Sequence, residues 1–433
     1  MNNILYIPTR YFPSISGAEF YFQRLAEIFN SKFNDTYNVD IFTSNAIDFK
    51  ALRVPKGRII EKNHKYFNIV NNLRINRFSI SYTTPFKDKF NYIKDLDPYS
   101  LLNISDECLE HFIENGPFLP DLIDYFLKTN IVQYDLIHAT FFPYFNLIIS
   151  LIIGKLLNKP TVCTPFFHFA NPRYSKSVMS EVLTNFDLIV ACTNLEKKYL
   201  IEALNLSESK IVVIPMGVDY KIFKTKKRIR SKDYYFRNKF LRENEQKFKI
   251  VLFCGYKNYE KGAISILQSI PIILNKIKKV YFVLIGPSTL AYNRELSKVR
   301  KLKNARIINF TPENLTGYFD KKKIAAFKET DLFLMPSRTD AFGIAFLEAW
   351  AARKPVIGAN IGATSEVIRN NIDGFLVEYD SPEDIAEKVV SMLRNKKLRK
   401  KMGNAGRLKV KENYSWDNIA KKTHDVYKNL INR

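Results

Sequence analysis

The chain has 433 residues, of which 46% are hydrophobic, and it carries a formal net charge of +24. At about 150 residues per domain, this length predicts two or three domains. The apolar content, which includes 34 Phe and 24 Tyr, excludes a wholly disordered chain.

In the first half of the chain, short apolar runs predict strands, beginning close to the N-terminus. Six strands are predicted, at Asn3 to Ile7, Val39 to Phe42, Leu136 to Ala139, Thr161 to Thr164, Leu188 to Cys192 and Ile211 to Ile214. The region from about Ala46 to Pro120 is polar and aromatic and has no clean period. We expect an insertion there that shapes a pocket or a lid.

The second half alternates apolar runs of strand length with amphipathic runs of helix length. Six strands are predicted, at Ile250 to Cys254, Val280 to Ile285, Arg306 to Asn309, Leu332 to Met335, Val356 to Ala359 and Phe375 to Val377. A helix from about Ala263 to Asn275 follows the first of them. This alternation predicts an α/β fold whose parallel sheet is covered on both faces.

The pattern divides the chain into two domains. We predict one domain at residues 1–220 and another at 248–412, with a highly charged linker at 221–247 between them. An amphipathic helix is predicted within residues 413–433.

Neither a metal centre nor a membrane-spanning helix is predicted. The spacing of the four cysteines is not that of metal ligands and predicts buried free thiols in a reducing compartment. They are Cys108, Cys163, Cys192 and Cys254. Met1 to Pro8 is typical of a strand rather than of a secretory signal, and the apolar run from Phe145 to Leu157 is shorter than the about 20 residues of a spanning helix. We therefore expect a cytoplasmic protein, with any membrane contact peripheral.

The positive charge has three possible uses: nucleic-acid binding, adhesion to an anionic membrane surface, or a solvated basic surface. The densest basic runs, Lys226-Lys227-Arg228 and Lys321-Lys322-Lys323, are short and lack interleaved aromatic residues. The sequence favours the two surface interpretations, and no nucleic-acid partner is expected.

The strongest chemical motif is the segment from Pro336 to Trp350, which follows a predicted strand and opens a helix near Gly343. Ligands of open α/β sheets bind beyond the carboxyl ends of the strands, and a helix start suits a phosphate. Asp340 and Glu348 flank that position and could bind the hydroxyls of a sugar and a ribose. Alternatively, Asp340 caps the helix and Glu348 is an exposed charge, although a carboxylate in so apolar a context predicts a partner.

Two further loops and two histidines are weaker candidates. Lys257 and Lys261, in the loop from Cys254 to Gly262, could neutralise phosphate oxygens, or the loop could be a plain polar connection. The small-residue turn before Glu19 could bring the backbone close to a ligand. His138 and His168 follow or end strands, where an acceptor could bind, but either could be structural.

Together these motifs resemble the retaining glycosyltransferases of family 4, which have the GT-B fold. The resemblance runs from Ile4 to Trp416 and is carried by these segments: Ser16 to Glu19, Ile214 to Asp219, Asp340 to Gly343 with Glu348-Ala349, Pro355 to Gly358, Gly374 to Val377, and Tyr414 to Trp416. It implies two Rossmann-like domains facing each other across a cleft. The first would bind the acceptor, the second would bind a nucleotide sugar, and the last helix would cross back to the first domain.

The resemblance also implies residue roles. Glu348 would hold the ribose, Asp340 the donor sugar, and Lys261 the diphosphate. The predicted donor-binding residues are Gly17, Gly255, Tyr256, Lys257, Lys261, Asp340, Ala341, Phe342, Gly343, Ile344 and Glu348. The predicted catalytic residues are Lys261, Asp340, Glu348, His138 and His168.

Three positions depart from the family pattern. Asp340 stands where Glu is usual, Tyr256 where Arg precedes the lysine, and Thr140 where a second histidine is common. These departures bear on the donor sugar, the diphosphate contact and the acceptor-side histidine, for which His138 and His168 remain rivals.

The resemblance implies a metal-independent hexosyltransferase without a cofactor. It would move a sugar from a UDP- or GDP-linked donor to a glycan or lipid-linked acceptor, in polysaccharide or glycolipid biosynthesis at the inner face of the membrane. Two alternatives stay open: a nucleotide-sugar epimerase on the same fold, and a nonenzymatic basic binding protein.

Overall fold

The computed structural model describes residues 1–14, 16–128, 133–169, 174, 177–225, 233–338 and 340–432. The chain divides into two compact units: unit 1 is Met1–Pro215 with Trp416–Arg433, and unit 2 is Met216–Ser415. The boundary thus falls at residue 215 rather than 220, and the last helix is part of unit 1.

In the described part of unit 1, eight strands form one sheet in the order β3-β4-β2-β1-β5-β6-β7-β8. All neighbours pair in parallel except β3 and β4. The strands are β1 (Asn2–Ile7), β2 (Tyr37–Ser44), β3 (Ile69–Val70), β4 (Leu73–Phe78), β5 (Leu136–Thr140), β6 (Thr161–Thr164), β7 (Leu188–Ala191) and β8 (Ile211–Val213). The helices of unit 1 are α1 (Gly17–Lys32), α2 (Phe86–Lys94), α3 (Asp97–Ser100), α4 (Asp106–Asn115), α5 (Pro120–Lys128), α6 (Asn146–Leu157), α7 (Glu181–Thr184), α8 (Asn194–Glu202) and α18 (Trp416–Ile431).

Unit 2 contains, in its described residues, a parallel sheet of six strands in the order β11-β10-β9-β12-β13-β14. The strands are β9 (Lys249–Cys254), β10 (Val280–Ile285), β11 (Ile307–Phe310), β12 (Leu332–Met335), β13 (Val356–Ala359) and β14 (Gly374–Val377). The helices are α9 (Tyr220–Phe223), α10 (Tyr235–Phe240), α11 (Ala263–Lys276), α12 (Leu290–Arg300), α13 (Lys321–Glu329), α14 (Ile344–Ala351), α15 (Thr364–Val367), α16 (Pro382–Arg394) and α17 (Lys396–Asn413). Strands β10, β12 and β13 are buried throughout, as expected of a sheet covered on both faces, whereas β11 and β14 at its two edges are partly exposed.

The predicted linker at 221–247 is corrected in its second half. The carboxylate of Glu329 accepts hydrogen bonds from the backbone N–H groups of Tyr235, Phe236 and Arg237, and Phe236 is buried. These contacts bind α10 into unit 2, because they satisfy the N–H groups that a helix start leaves open. The basic run at Lys226 to Arg228 lies outside the described residues.

The apolar run from Phe145 to Leu157 contains α6, which is buried from Asn146 to Gly154. Within the described residues, the structure has no helix that is both long and apolar enough to span a membrane. All four cysteines are free thiols, and burial raises the pKa of each of them.

Candidate functional site

The candidate site lies in unit 2, at the carboxyl ends of β9 and β12. These strands are neighbours in the sheet, with Val251 paired to Leu332 and Leu252 to Phe333. The chain order reverses here, because β10 lies on one side of β9 and β12 on the other. Such a switch point leaves a crevice beyond the strand ends. The loop of residues 255–262 and the loop of residues 336–343 therefore come together at this edge.

Gly262 allows the two loops to touch. Its φ is +71°, and a Cβ at this position would lie 2.2 Å from the carbonyl oxygen of Pro336. The backbone N–H of Arg338 donates to the carbonyl of Glu260 at 2.9 Å, and Nε of Arg338 donates to the Glu260 carboxylate at 3.0 Å. The Glu260 hydrogen bond raises the pKa of Arg338. This ion pair braces the two loops and was not predicted from the sequence.

Lys261 and Asp340 form the first acid–base pair of the site. The Lys261 ammonium binds Oδ1 of Asp340, and only 20% and 14% of the two side chains are exposed. The backbone N–H of Lys261 also donates to Oδ1 of Asn258 at 2.9 Å. The structure thus brings together Lys261, which was predicted to bind the diphosphate, and Asp340, which was predicted to bind the donor sugar.

Glu348 and Lys323 form the second pair. Nζ of Lys323 lies 2.8 Å from Oε1 of Glu348, on side chains that are 8% and 2% exposed. Burial, together with the nearby Glu348 carboxylate, raises the pKa of Tyr318 well above its usual value. Glu348 is therefore a paired, buried carboxylate rather than an exposed charge. The sequence missed Lys323, because the run Lys321-Lys322-Lys323 was interpreted as basic surface.

The start of α14 lies between Asp340 and Glu348 in sequence. Gly343 precedes the helix with φ +91°, and a Cβ there would lie 2.6 Å from the ring of Phe346. Ala341 and Phe342 are buried, and the Phe342 ring packs 5.5 Å from that of Tyr414. Packing therefore holds this loop, and the first N–H groups of α14, beginning with Ile344, suit an anion.

The structure contradicts the predicted contact of Lys257 with phosphate oxygens, because the Lys257 side chain is buried. Nζ donates to Oδ1 of Asn309 at 2.7 Å and to the carbonyl of Phe310 at 2.9 Å. Burial lowers its pKa to about 8. Lys257 thus anchors its loop to the end of β11 instead of meeting phosphate oxygens.

The neighbours of Lys257 differ from each other. Tyr256 is 47% exposed, so its side chain is accessible to a ligand. A Cβ on Gly255 would make only ordinary contacts, the nearest at 3.4 Å, whereas one on Gly286 would lie 2.0 Å from the Gly255 carbonyl. The close backbone approach at this turn therefore requires glycine at 286 rather than at 255.

The structure also contradicts the predicted acceptor-side role of His138. Its side chain is fully buried in unit 1, where Tyr427 Oη lies 2.5 Å from Nδ1 and Thr164 Oγ1 lies 2.8 Å from Nε2. Burial lowers its pKa to about 3. His138 is therefore a neutral core residue that joins β5 to α18, and it cannot serve an acceptor.

His168 lies after a strand and Gly17 lies in the turn before Glu19, as the sequence predicted. His168 follows β6, is partly exposed, and lies with its ring 5.3 Å from that of Tyr174. Gly17 is the first residue of α1. In the first turn of this helix, Glu19 forms a buried ion pair with Arg10 at 2.6 Å. The described residues include no group of three or more His, Cys, Asp or Glu side chains placed to hold a metal ion.

Two family models match the chain. The model of glycosyl transferases group 1 matches residues 236–409, which cover the site loops, and that of Glycosyltransferase Family 4 matches residues 94–221.

Curated relatives match over different lengths. An uncharacterised glycosyltransferase of Methanocaldococcus jannaschii is 26% identical over 56% of this chain and 66% of its own, and another from the same organism is 22% identical over 99% of both. The chain thus spans slightly under two thirds of the first relative. A phosphatidyl-myo-inositol mannosyltransferase of Mycobacterium tuberculosis is 27% identical over 56% of this chain and 59% of its own.

Among solved structures, Anabaena HepE in complex with UDP and glucose superposes with a TM-score of 0.72 at 14% identity, covering 99% of this chain and 100% of that one. The two parallel-sheet units and this likeness define a protein with the GT-B fold. Residues 236–409 are assigned to the glycosyl transferases group 1 and residues 94–221 to Glycosyltransferase Family 4.

Proposed function

We propose that the protein is a retaining glycosyltransferase that moves a hexose from a UDP- or GDP-linked donor to a glycan or lipid-linked acceptor. The observation that carries the proposal is the placement of the pairs Lys261–Asp340 and Lys323–Glu348 around the start of α14. The HepE structure is a complex with UDP and glucose, which supports a UDP-sugar donor. The relative named as a phosphatidyl-myo-inositol mannosyltransferase supports a lipid acceptor at a membrane face.

In this proposal, Glu348 accepts hydrogen bonds from the ribose hydroxyls and Asp340 accepts them from the donor sugar. Lys261 and the first N–H groups of α14 bind the diphosphate. Binding of the donor exchanges the Lys261–Asp340 pair for contacts to the ligand, so that neither charge is left unpaired.

The bond between the anomeric carbon and the diphosphate oxygen breaks while the acceptor oxygen bonds to the same face of that carbon. The acceptor proton passes to the departing phosphate. Negative charge grows on the leaving diphosphate, where Lys261 and the helix amides stabilise it without a metal. His168, which follows β6 and is partly exposed, is the proposed acceptor-side residue.

A thermal-shift screen tests the proposal with UDP, GDP, ADP and their common sugars. A ligand that binds only the native state raises its stability by about 2.7 kcal/mol at a hundredfold excess over Kd. We expect a shift with one nucleotide, reduced in Glu348→Gln and Lys261→Ala but retained in the exposed control Lys298→Ala. Turnover of that nucleotide's sugar in EDTA, with the anomeric product resolved by NMR, tests metal independence and retention. Shifts with no nucleotide, or an isomerised donor formed without acceptor, would overturn the proposal.

A further inference from the structure

A basic loop lies between β2 and β3 in unit 1. We define it as residues 48–65, which carry six Lys or Arg and two acidic residues. The backbone N–H groups of Ile47 and Ile60 donate to the carbonyls of Arg58 and Asn45, both at 2.8 Å, and so close the first part of the loop. Ala51 and Leu52 are buried beneath it. The loop is therefore an ordered surface element whose charged side chains point outward.

Most of its cations are not neutralised within the protein. Arg58 pairs with Asp48, but in the described part of the chain Lys50, Arg53 and Lys56 form no salt bridge. Lys62 and Lys65 likewise have none among the described residues, and all five of these side chains are exposed. A concentration of unpaired positive charge of this kind attracts an anionic surface.

Large apolar side chains are exposed beside these cations. Phe49, Val54 and Ile59 are exposed within the basic loop, and Phe86 is exposed at the start of α2. Arg53 and Phe86 line one cavity of about 190 Å³, together with Lys89. That shared cavity places the loop and the start of α2 on one face. Burial lowers the pKa of Lys89, whose ammonium lies 5.4 Å from the ring of Phe118.

We propose that the basic loop and the start of α2 dock unit 1 on an anionic lipid bilayer. Val54 and Phe86 would enter the headgroup region, while Lys50, Arg53 and Lys56 meet lipid phosphates. Interleaved apolar and basic side chains fit the boundary between headgroups and acyl chains, since the former leave water and the latter stay with the phosphates. This inference rests on the proposed membrane-linked acceptor and names the surface that reaches it.

The test compares two triple variants of the full chain that lose the same charge. Lys50→Gln/Arg53→Gln/Lys56→Gln changes the basic loop. Lys397→Gln/Lys400→Gln/Lys401→Gln changes exposed lysines of α17, which also form no salt bridge in the described structure. Co-sedimentation is measured with phosphatidylcholine vesicles that contain or lack phosphatidylglycerol. We expect the loop variant to lose about tenfold or more in affinity for the anionic vesicles, and the α17 variant to lose about twofold or less.

Val54→Asp separates apolar insertion from charge attraction. It should weaken vesicle binding even at high salt, where surface charges are screened. Equal losses in both triple variants, unchanged binding in the loop variant, or stronger binding to random RNA than to vesicles would overturn the inference. Nucleotide thermal shifts are run on the same samples. Vesicle binding that behaves as expected in a chain that binds no nucleotide would leave the docking surface standing and reject the proposed function.

Discussion

The ammonium of Lys323 lies 2.8 Å from Oε1 of Glu348, and 3.7 Å from the centre of the Tyr318 ring. The ion pair is nearly inaccessible to water, so neither charge has solvent to replace a lost partner. Removing one member of a buried pair leaves the other uncompensated, which costs about 3–5 kcal/mol. The orientation of Glu348 in the site therefore depends on a lysine from a different helix.

Replacing Lys323 separates the structural role of this pair from its proposed ligand role. Lys323→Met should lower the free energy of unfolding by about 3–5 kcal/mol, as measured by urea titration. Lys323→Met/Glu348→Leu should recover most of that stability, because neither charge remains buried. The double variant should nevertheless bind nucleotide poorly. Wild-type nucleotide affinity in the double variant would reject Glu348 as a donor contact.

Lys261→Ala removes the cation proposed to stabilise the leaving diphosphate. We expect kcat to fall by about 10²–10³, the usual loss when one charge-stabilising group is removed. Steady-state kinetics with the donor found in the nucleotide screen measures this. Lys261→Arg keeps the charge and is the matched control, with a smaller loss. Near-normal turnover in Lys261→Ala would show that the diphosphate is bound elsewhere.

Lys257→Met should change the pH dependence of stability while leaving the donor affinity intact. Burial lowers the pKa of Lys257 from 10.5 to about 8, so between these values the unfolded chain binds the proton that the folded chain has released. Wild-type stability therefore gains a rising contribution from pH 8 to pH 10.5. In this window, the free energy of unfolding of the variant should rise less steeply with pH than that of the wild type, by up to about 1.4 kcal/mol per pH unit. Urea titrations at several pH values check the slope, and a large loss of nucleotide affinity would restore Lys257 to the binding site.

His138→Gln tests the assignment of His138 to the core. Burial lowers the pKa of His138 from 6.5 to about 3, so the unfolded state binds its proton more readily as the pH falls through this range. Stability present above pH 6.5 is therefore lost towards pH 3, and the variant should show a weaker loss. Its kcat/KM for the acceptor, per folded molecule, should stay close to that of the wild type. A selective rise in the acceptor KM would contradict the core assignment.

Regular structure was predicted well where the strands are continuous apolar runs. Val280–Ile285, Thr161–Thr164, Leu332–Met335 and Val356–Ala359 have the predicted bounds. Strand β4 was missed, because only Leu73 and Ile75 of its side chains are buried and two arginines interrupt the run. A half-buried strand beside a long polar loop has a pattern too weak to separate it from that loop.

Side-chain partners were predicted less well, because they depend on residues that are distant in sequence. Lys257 and Lys261 lie in one loop and carry the same charge, yet Lys257 binds Phe310 and Lys261 binds Asp340. Likewise, Lys323 is buried while its neighbour Lys321 is exposed. Composition and spacing are alike within each of these pairs of lysines. Only the tertiary fold therefore distinguishes a lysine that is buried and holds the structure from one that is available to a ligand.

Helix α18 makes unit 1 discontinuous in sequence, because this last helix is synthesised only after the whole of unit 2. Tyr427 reaches Tyr6 at 3.1 Å and His138 at 2.5 Å, and Trp416 packs on Phe20, so the first strand and first helix are covered by residues some four hundred positions later. During synthesis, residues 1–215 emerge from the ribosome well before their covering helix does. Unit 2 can close while unit 1 still exposes an aromatic face, and chaperone capture of nascent chains should persist until residue 431 has been released.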